Sequence, residues 1–127
     1  MTRFHWEHVH LRSPDPSATA AWYQDKLGAE VVRTPQPDGS TRIDLNLGGQ
    51  KIFIAQAQPG KTAAPPQSPY QGLDHFGLLV DDLDAAVSEL KAKGVAFTMD
   101  PTQIRPGVKI AFLTAPENVS IELLQRS

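Results

Sequence analysis

The chain repeats itself once, and that repeat limits the fold more than any other feature. Trp6-Glu7-His8-Val9-His10-Leu11 reaches Asp15 seven residues after His8, and Leu73-Asp74-His75-Phe76-Gly77-Leu78 reaches Asp82 seven residues after His75. A repeat of this length marks one supersecondary unit used twice. Each copy leads into a helix-like stretch, Pro16 to Leu27 and Leu83 to Lys93, and each stretch stops at a glycine, Gly28 or Gly94. Asp15 and Asp82 stand where a side chain can cap the first free amides of a helix, and Pro16 follows Asp15 at a position that needs no donor. Glycine just past the last turn is the matching stop signal.

β-like runs follow each glycine. Glu30 to Val32 comes first in the first half. Arg42 to Leu47 then alternates polar and apolar residues, and Ile52 to Gln56 closes the half. The second half offers Val95 to Thr98, Val108 to Leu113 and Ile121 to Gln125. Each half therefore reads β-α-β-β-β. The expected fold is α+β: two paired βαβββ modules, at about residues 1–58 and 73–127, forming a curled mixed sheet around a cavity. Residues 59–72 are the expected linker, since Pro59 to Gln71 holds four prolines and few apolar residues. The loop Asp100 to Gly107, with Pro101 and Pro106, is expected to be irregular. At 127 residues, one half alone has little core, so the whole chain reads as a single domain.

Strand side chains alternate between faces. Val9 and Leu11 share one face of the first strand, leaving His8 and His10 on the other. Phe76 and Leu78 oppose His75 and Gly77, and Ile121 and Leu123 oppose Glu122. The apolar faces must pack on the helices. His8, His75 and Glu122 then point the other way, where uncompensated burial of such groups is costly. A divalent cation compensates it. Imidazole and carboxylate donors suit iron(II), manganese, cobalt, nickel or zinc, and three protein ligands leave positions open for substrate. The chain has no cysteine, which removes disulfides, thiolate metal sites and cysteine nucleophiles. A net charge of −2 gives no reason to expect nucleic acid or an anionic membrane as partner. No apolar run approaches a membrane span and no signal-peptide pattern opens the chain, so the expected location is cytoplasmic.

These segments resemble the vicinal oxygen chelate superfamily, which holds glyoxalases, extradiol dioxygenases, methylmalonyl-CoA epimerases, and fosfomycin- and bleomycin-resistance proteins. The resemblance spans nearly the whole chain. It is carried by His8 to Asp15 with Trp22-Tyr23 and Leu27-Gly28, by His75 to Asp82, and by Ala111 to Leu123. It implies a metal site at His8, His75 and Glu122, iron(II) being favoured. In the last segment Asn118 stands where the family usually has glycine, and asparagine tolerates a left-handed turn. Aligning the two final strands sets Phe53 opposite Glu122, where glyoxalases and epimerases carry a fourth ligand. The implied site is therefore His-His-Glu.

This resemblance implies a metal-dependent enzyme acting on a small oxygen-chelating molecule, with extradiol-dioxygenase-like chemistry favoured. A glyoxalase-like lyase or isomerase is the alternative, and a non-catalytic binding protein of the bleomycin-resistance kind is another. A fosfomycin-type transferase shares the ligand set alone. His10 is a candidate acid or base beside the ligands, or a spacer in the cavity. Glu122 is a candidate proton-shuttling base. Tyr70 is a candidate donor to an oxyanion, or an apolar plug. Arg42, Asp44 and Asn46 share one strand face and are read as cavity lining, with Phe53 as an apolar wall. The expected partners are a small-molecule substrate and a second copy of the chain, with modules pairing within or across subunits.

Overall fold

The computed structural model describes residues 2–127, and these fall into two compact units, one ending at Ala63 and the other spanning Ala64–Ser127. In the first, β1 (His8–Ser13) runs into α1 (Pro16–Leu27), followed by β2 (Glu30–Pro35), β3 (Thr41–Leu47) and β4 (Gln50–Gln56). The second repeats the order with β5 (His75–Leu79), α2 (Leu83–Ala92), β6 (Phe97–Arg105), β7 (Val108–Ala115) and β8 (Val119–Arg126). Each unit holds one four-stranded mixed sheet, ordered β1-β4-β3-β2 in the first and β5-β8-β7-β6 in the second. The first and last strands of each unit pair in parallel, while the remaining neighbours form antiparallel hairpins. The expected βαβββ order is therefore present twice.

The helix signals work as their chemistry requires. Asp15 accepts from the Ala18 amide at 3.1 Å, and Asp82 accepts from the Ala85 amide at 3.1 Å. Gly28 ends α1 at φ 70°, a conformation in which a Cβ would be strained. Helix α2 stops one residue earlier than expected, with Lys93 as its cap before Gly94. The two glutamines on the closing strands both turn to the helix side. Gln125 accepts from the Leu83 amide at 2.7 Å, and Gln56 donates to the Pro14 carbonyl at 2.8 Å.

Each sheet buries one face under its helix. In the first unit Tyr23 and Ala20 of α1 are buried with Ile43, Leu45, Ile52 and Ile54. In the second, Leu83, Val87 and Leu90 are buried with Leu113, Ile121 and Leu123. Fully burying an aliphatic side chain of this size is worth about 1.5–3 kcal/mol, so these two layers orient the sheets. The opposite face of each sheet is left to carry chemistry.

Two expectations need correction. The segment Asp100 to Gly107 is not an irregular loop, because β6 runs through Pro101 to Arg105. A proline is tolerated there because β6 is an edge strand whose ladder is broken by register shifts between Met99 and Thr102. The strand also starts later than expected, at Phe97 rather than Val95. The turn before β8 holds two consecutive left-handed residues, Glu117 at φ 63° and Asn118 at φ 58°. The asparagine fits its role, whereas the glutamate was not anticipated. Residues 59–72 contain no helix or strand.

Candidate metal centre

The sheet register agrees with the repeat alignment that picked out the candidate ligands. In the first unit His8 pairs with Lys51 and His10 with Phe53. In the second, His75 pairs with Ser120 and Gly77 with Glu122. His8 thus corresponds to His75, His10 to Gly77, and Phe53 to Glu122.

The second unit brings two of the three expected ligands together. His75 Nε2 lies 3.3 Å from Glu122 Oε1. Two donors bound to one ion at about 2.1 Å, at angles of roughly 90–109°, lie about 3.0–3.4 Å apart, so this pair has the spacing of adjacent ligands. The other imidazole nitrogen, Nδ1, lies 2.8 Å from Asp74 Oδ2. That carboxylate is itself held, accepting from the Ser68 hydroxyl at 2.6 Å and the Tyr70 amide at 3.0 Å. These bonds, led by Ser68 and then His75, pull the Asp74 pKa down to about 2. An ionised Asp74 accepts a hydrogen bond from the His75 Nδ1 proton and turns Nε2 toward Glu122. A carboxylate behind a ligating histidine is a recurrent feature of metal sites, where it fixes tautomer and ring orientation. Phe112 meets the His75 ring edge-on at 4.9 Å and limits its rotation. The donor set and its support therefore fit a divalent ion.

His8 lies in the first unit, on a face of different character. Its ring stacks on Phe53, with centroids 4.1 Å apart and planes 20° from parallel. Arg42 reaches the same ring from β3, with Cζ 4.5 Å from the centroid. Asp44 holds that guanidinium, its Oδ2 lying 3.0 Å from Arg42 Nε. Glu7 precedes His8 as Asp74 precedes His75, and it approaches His8 Nδ1 at a looser 3.5 Å. Glu7 is also shared with Lys51 Nζ at 3.1 Å, and this bond is the main cause of its lowered pKa. Among the described residues no group of three or more histidine, aspartate and glutamate side chains is gathered as one metal cluster. The structure thus assembles His75 with Glu122 and shows His8 in its own setting.

The remaining candidates divide. His10 lines a groove of about 910 Å³ in the first unit together with Arg42, Asp44 and Phe53. Asn46 lies beside a smaller depression with Arg42 and Phe53, but its side-chain oxygen accepts from the Gly49 amide at 3.0 Å and so serves the hairpin turn. Tyr70 contributes its backbone amide to Asp74, and its side chain is exposed. Asp74, Glu7 and Ser68 were given no role at the site from the sequence. An acidic residue directly before each repeated histidine was the available signal for the first two.

The sequence pattern of the Glyoxalase/Bleomycin resistance protein/Dioxygenase superfamily matches residues 5–123. The chain is similar to the uncharacterized protein YaeR of Escherichia coli (strain K12), at 31% identity over 94% of each chain. It is similar to the mitochondrial methylmalonyl-CoA epimerase of Homo sapiens, at 30% identity over 93% of this chain and 72% of the epimerase. A solved glyoxalase family protein from Enterococcus faecalis superposes with a TM-score of 0.77 at 26% identity, over 98% of this chain and 100% of that one.

Proposed function

Since the chain belongs to the Glyoxalase/Bleomycin resistance protein/Dioxygenase superfamily, we propose that it is a metal-dependent enzyme acting on a small molecule that chelates the ion through neighbouring oxygens. The observation that carries this reading is the His75–Glu122 pair at 3.3 Å, backed by Asp74 on the far side of the imidazole. In this reading His75 and Glu122 hold the ion. His8 is the third ligand, assigned through its repeat equivalence to His75. A bound divalent ion supplies Lewis acidity, orienting two substrate oxygens and stabilising negative charge that develops on them.

The chain's own groups do the rest. Asp74 accepts a hydrogen bond from the His75 Nδ1 proton, so the Nε2 lone pair is the one presented to the ion. Phe53 takes the place of a fourth ligand and leaves one more position for substrate. Two histidines and one carboxylate with open positions are the set used by iron(II) oxygenases, so extradiol-type ring cleavage is the specific chemistry favoured. Reconstitution with iron(II) without oxygen, followed by a panel of catechols in an oxygen electrode, tests it. Oxygen uptake that depends on catechol is expected, and none with any catechol on iron-loaded protein would refute the dioxygenase assignment.

A second reading has Glu122 or His10 moving a proton in a lyase or isomerase. Similarity to the human epimerase favours it. Exchange of a substrate carbon-bound proton with solvent deuterium, abolished by Glu122→Gln, identifies that chemistry. Both readings require metal. If wild type and a His75→Ala/Glu122→Ala double variant retain equally little metal after dialysis, both fall, and a ligand-binding protein remains. The proposed assembly is a homodimer in solution, and sedimentation velocity measures it.

A further inference from the structure

Beside the His75–Glu122 pair, the second unit holds a pocket of about 580 Å³ whose lining is chemically selective. Its floor is the same strand face that carries the pair. Thr114 pairs with Ser120, Phe112 pairs with Glu122, and Ser120 is also the partner of His75. The hydroxyls of Thr98, Thr114 and Ser120 and the amides of Gln67 and Asn118 line this space, with Phe112 and Met99 as apolar walls. Among the described residues these five polar side chains make no side-chain hydrogen bond within the protein. Each can donate and accept, and none carries charge. The charged group at the rim is Asp74, whose oxygens are already taken by Ser68, Tyr70 and His75.

We propose that this pocket recognises the body of an uncharged, oxygen-bearing ring molecule and discriminates against a ligand that carries a carboxylate or phosphate there. Neutral hydroxyl and amide groups with free hydrogen-bonding capacity match neutral hydroxyl and carbonyl groups on a ligand. The flat ring of Phe112 and the thioether of Met99 match an apolar ring face. An anionic substituent would lie near the Asp74 and Glu122 carboxylates. At a separation of about 6 Å, an effective dielectric of about 20 and screening by physiological salt, each such like-charge pair weakens binding on the order of tenfold. The proposal rests on the metal reading for where the chelated oxygens sit, but the charge preference belongs to the pocket itself.

Two probes separate the contributions. 4-Methylcatechol and 3,4-dihydroxybenzoate share a ring and two neighbouring hydroxyls, and differ at the remote substituent. Each is titrated by calorimetry and by ¹⁵N amide shifts into zinc-loaded protein and into protein stripped with EDTA. In the stripped protein, where no cation offsets the Asp74 and Glu122 carboxylates, the neutral probe is expected to bind about tenfold more tightly and to move the Thr98, Thr114 and Ser120 amides. Thr114→Val and Ser120→Ala should each weaken it at least about threefold, and Thr114→Lys should reverse the order of the two probes. Equal or tighter binding of the carboxylate probe by stripped wild type overturns the proposal, as does the absence of neutral-probe binding in both forms. Failure of the metal reading shows separately, as a zinc content that His75→Ala/Glu122→Ala does not change. The preference in the stripped form then still decides the proposal.

Discussion

In the proposed metal reading, removing the Asp74 carboxylate should weaken metal binding without removing a proposed ligand. Three donors converge on its two oxygens: the Ser68 hydroxyl at 2.6 Å, the Tyr70 amide at 3.0 Å and His75 Nδ1 at 2.8 Å. In Asp74→Ala the imidazole loses the group that holds its proton on Nδ1. The other tautomer, with the proton on Nε2 facing Glu122 3.3 Å away, then becomes accessible. That tautomer must be displaced before an ion can bind. Loss of an outer carboxylate behind a ligating histidine costs 10–100-fold in metal affinity in known sites, and about that loss is expected here. Asp74→Asn keeps one acceptor oxygen for three donors. It can satisfy His75 or Tyr70 but not both, so an intermediate loss, roughly 3–10-fold, is expected. Affinity is measured by competition against a fluorescent zinc chelator. The tautomer is read independently from the imidazole ¹⁵N shifts of His75 in metal-free protein near pH 8. If Asp74→Ala leaves both affinity and tautomer unchanged, the positioning role is wrong. If it unfolds the 64–74 segment, the chemical shifts of that segment reveal it, and Asp74→Asn decides.

Other outcomes follow from single side chains. Phe53→Glu places a carboxylate at the repeat equivalent of Glu122, next to His8, and should tighten zinc retention by about tenfold through an added donor; chelator competition checks this, and unchanged retention would count against His8 as a ligand. Tyr23 is fully buried and its hydroxyl has no hydrogen-bond partner among the described residues, so Tyr23→Phe should stabilise by about 1 kcal/mol, or roughly 3–5 °C in melting temperature. Burial also holds the Tyr23 phenol above its ordinary pKa, so it ionises more easily in the unfolded chain. Stability from this group is present below about pH 10 and is lost as pH rises beyond it, so the advantage of Tyr23→Phe in thermal melts should widen above pH 10. Glu117→Gly relieves a left-handed residue at φ 63° and should stabilise by about 1 kcal/mol in denaturant titrations.

The repeat, the helices and the ligand faces were legible because they depend on local rules. Asp15 and Asp82 cap helices through short-range geometry, and strand alternation alone set Glu122 opposite Ile121 and Leu123. The course of β6 was not legible, because Pro101 reads as a breaker unless the strand is known to lie at a bulged sheet edge. The left-handed Glu117 was hidden for a related reason. A glutamate carries no turn signal, and the hairpin between β7 and β8 imposes the conformation on it. Asp74 was missed because its role depends on Ser68 and Tyr70 of the linker folding back onto it, and no periodicity reports that. Asn46 shares a strand face with Arg42 and Asp44, yet its oxygen serves the Gly49 amide, a use that facing direction cannot reveal.

The two copies of the module show how a duplicated backbone divides its chemistry. Their registers correspond, and each has an acidic residue before its histidine. One position then separates them. Where β8 carries Glu122, the second copy has a donor pair with a firmly held outer carboxylate. Where β4 carries Phe53, the same strand position stacks His8 on an aromatic ring, and Arg42 and Asp44 from the neighbouring strand complete the set. A stacked imidazole keeps its ring plane but gains no second donor, so the first copy can offer at most one ligand at this position. Of the proposed ligands, the second copy holds the His75–Glu122 pair and the first holds His8 stacked on Phe53. In the proposed metal reading, Phe53 is therefore the position at which a fourth donor would be lost or regained.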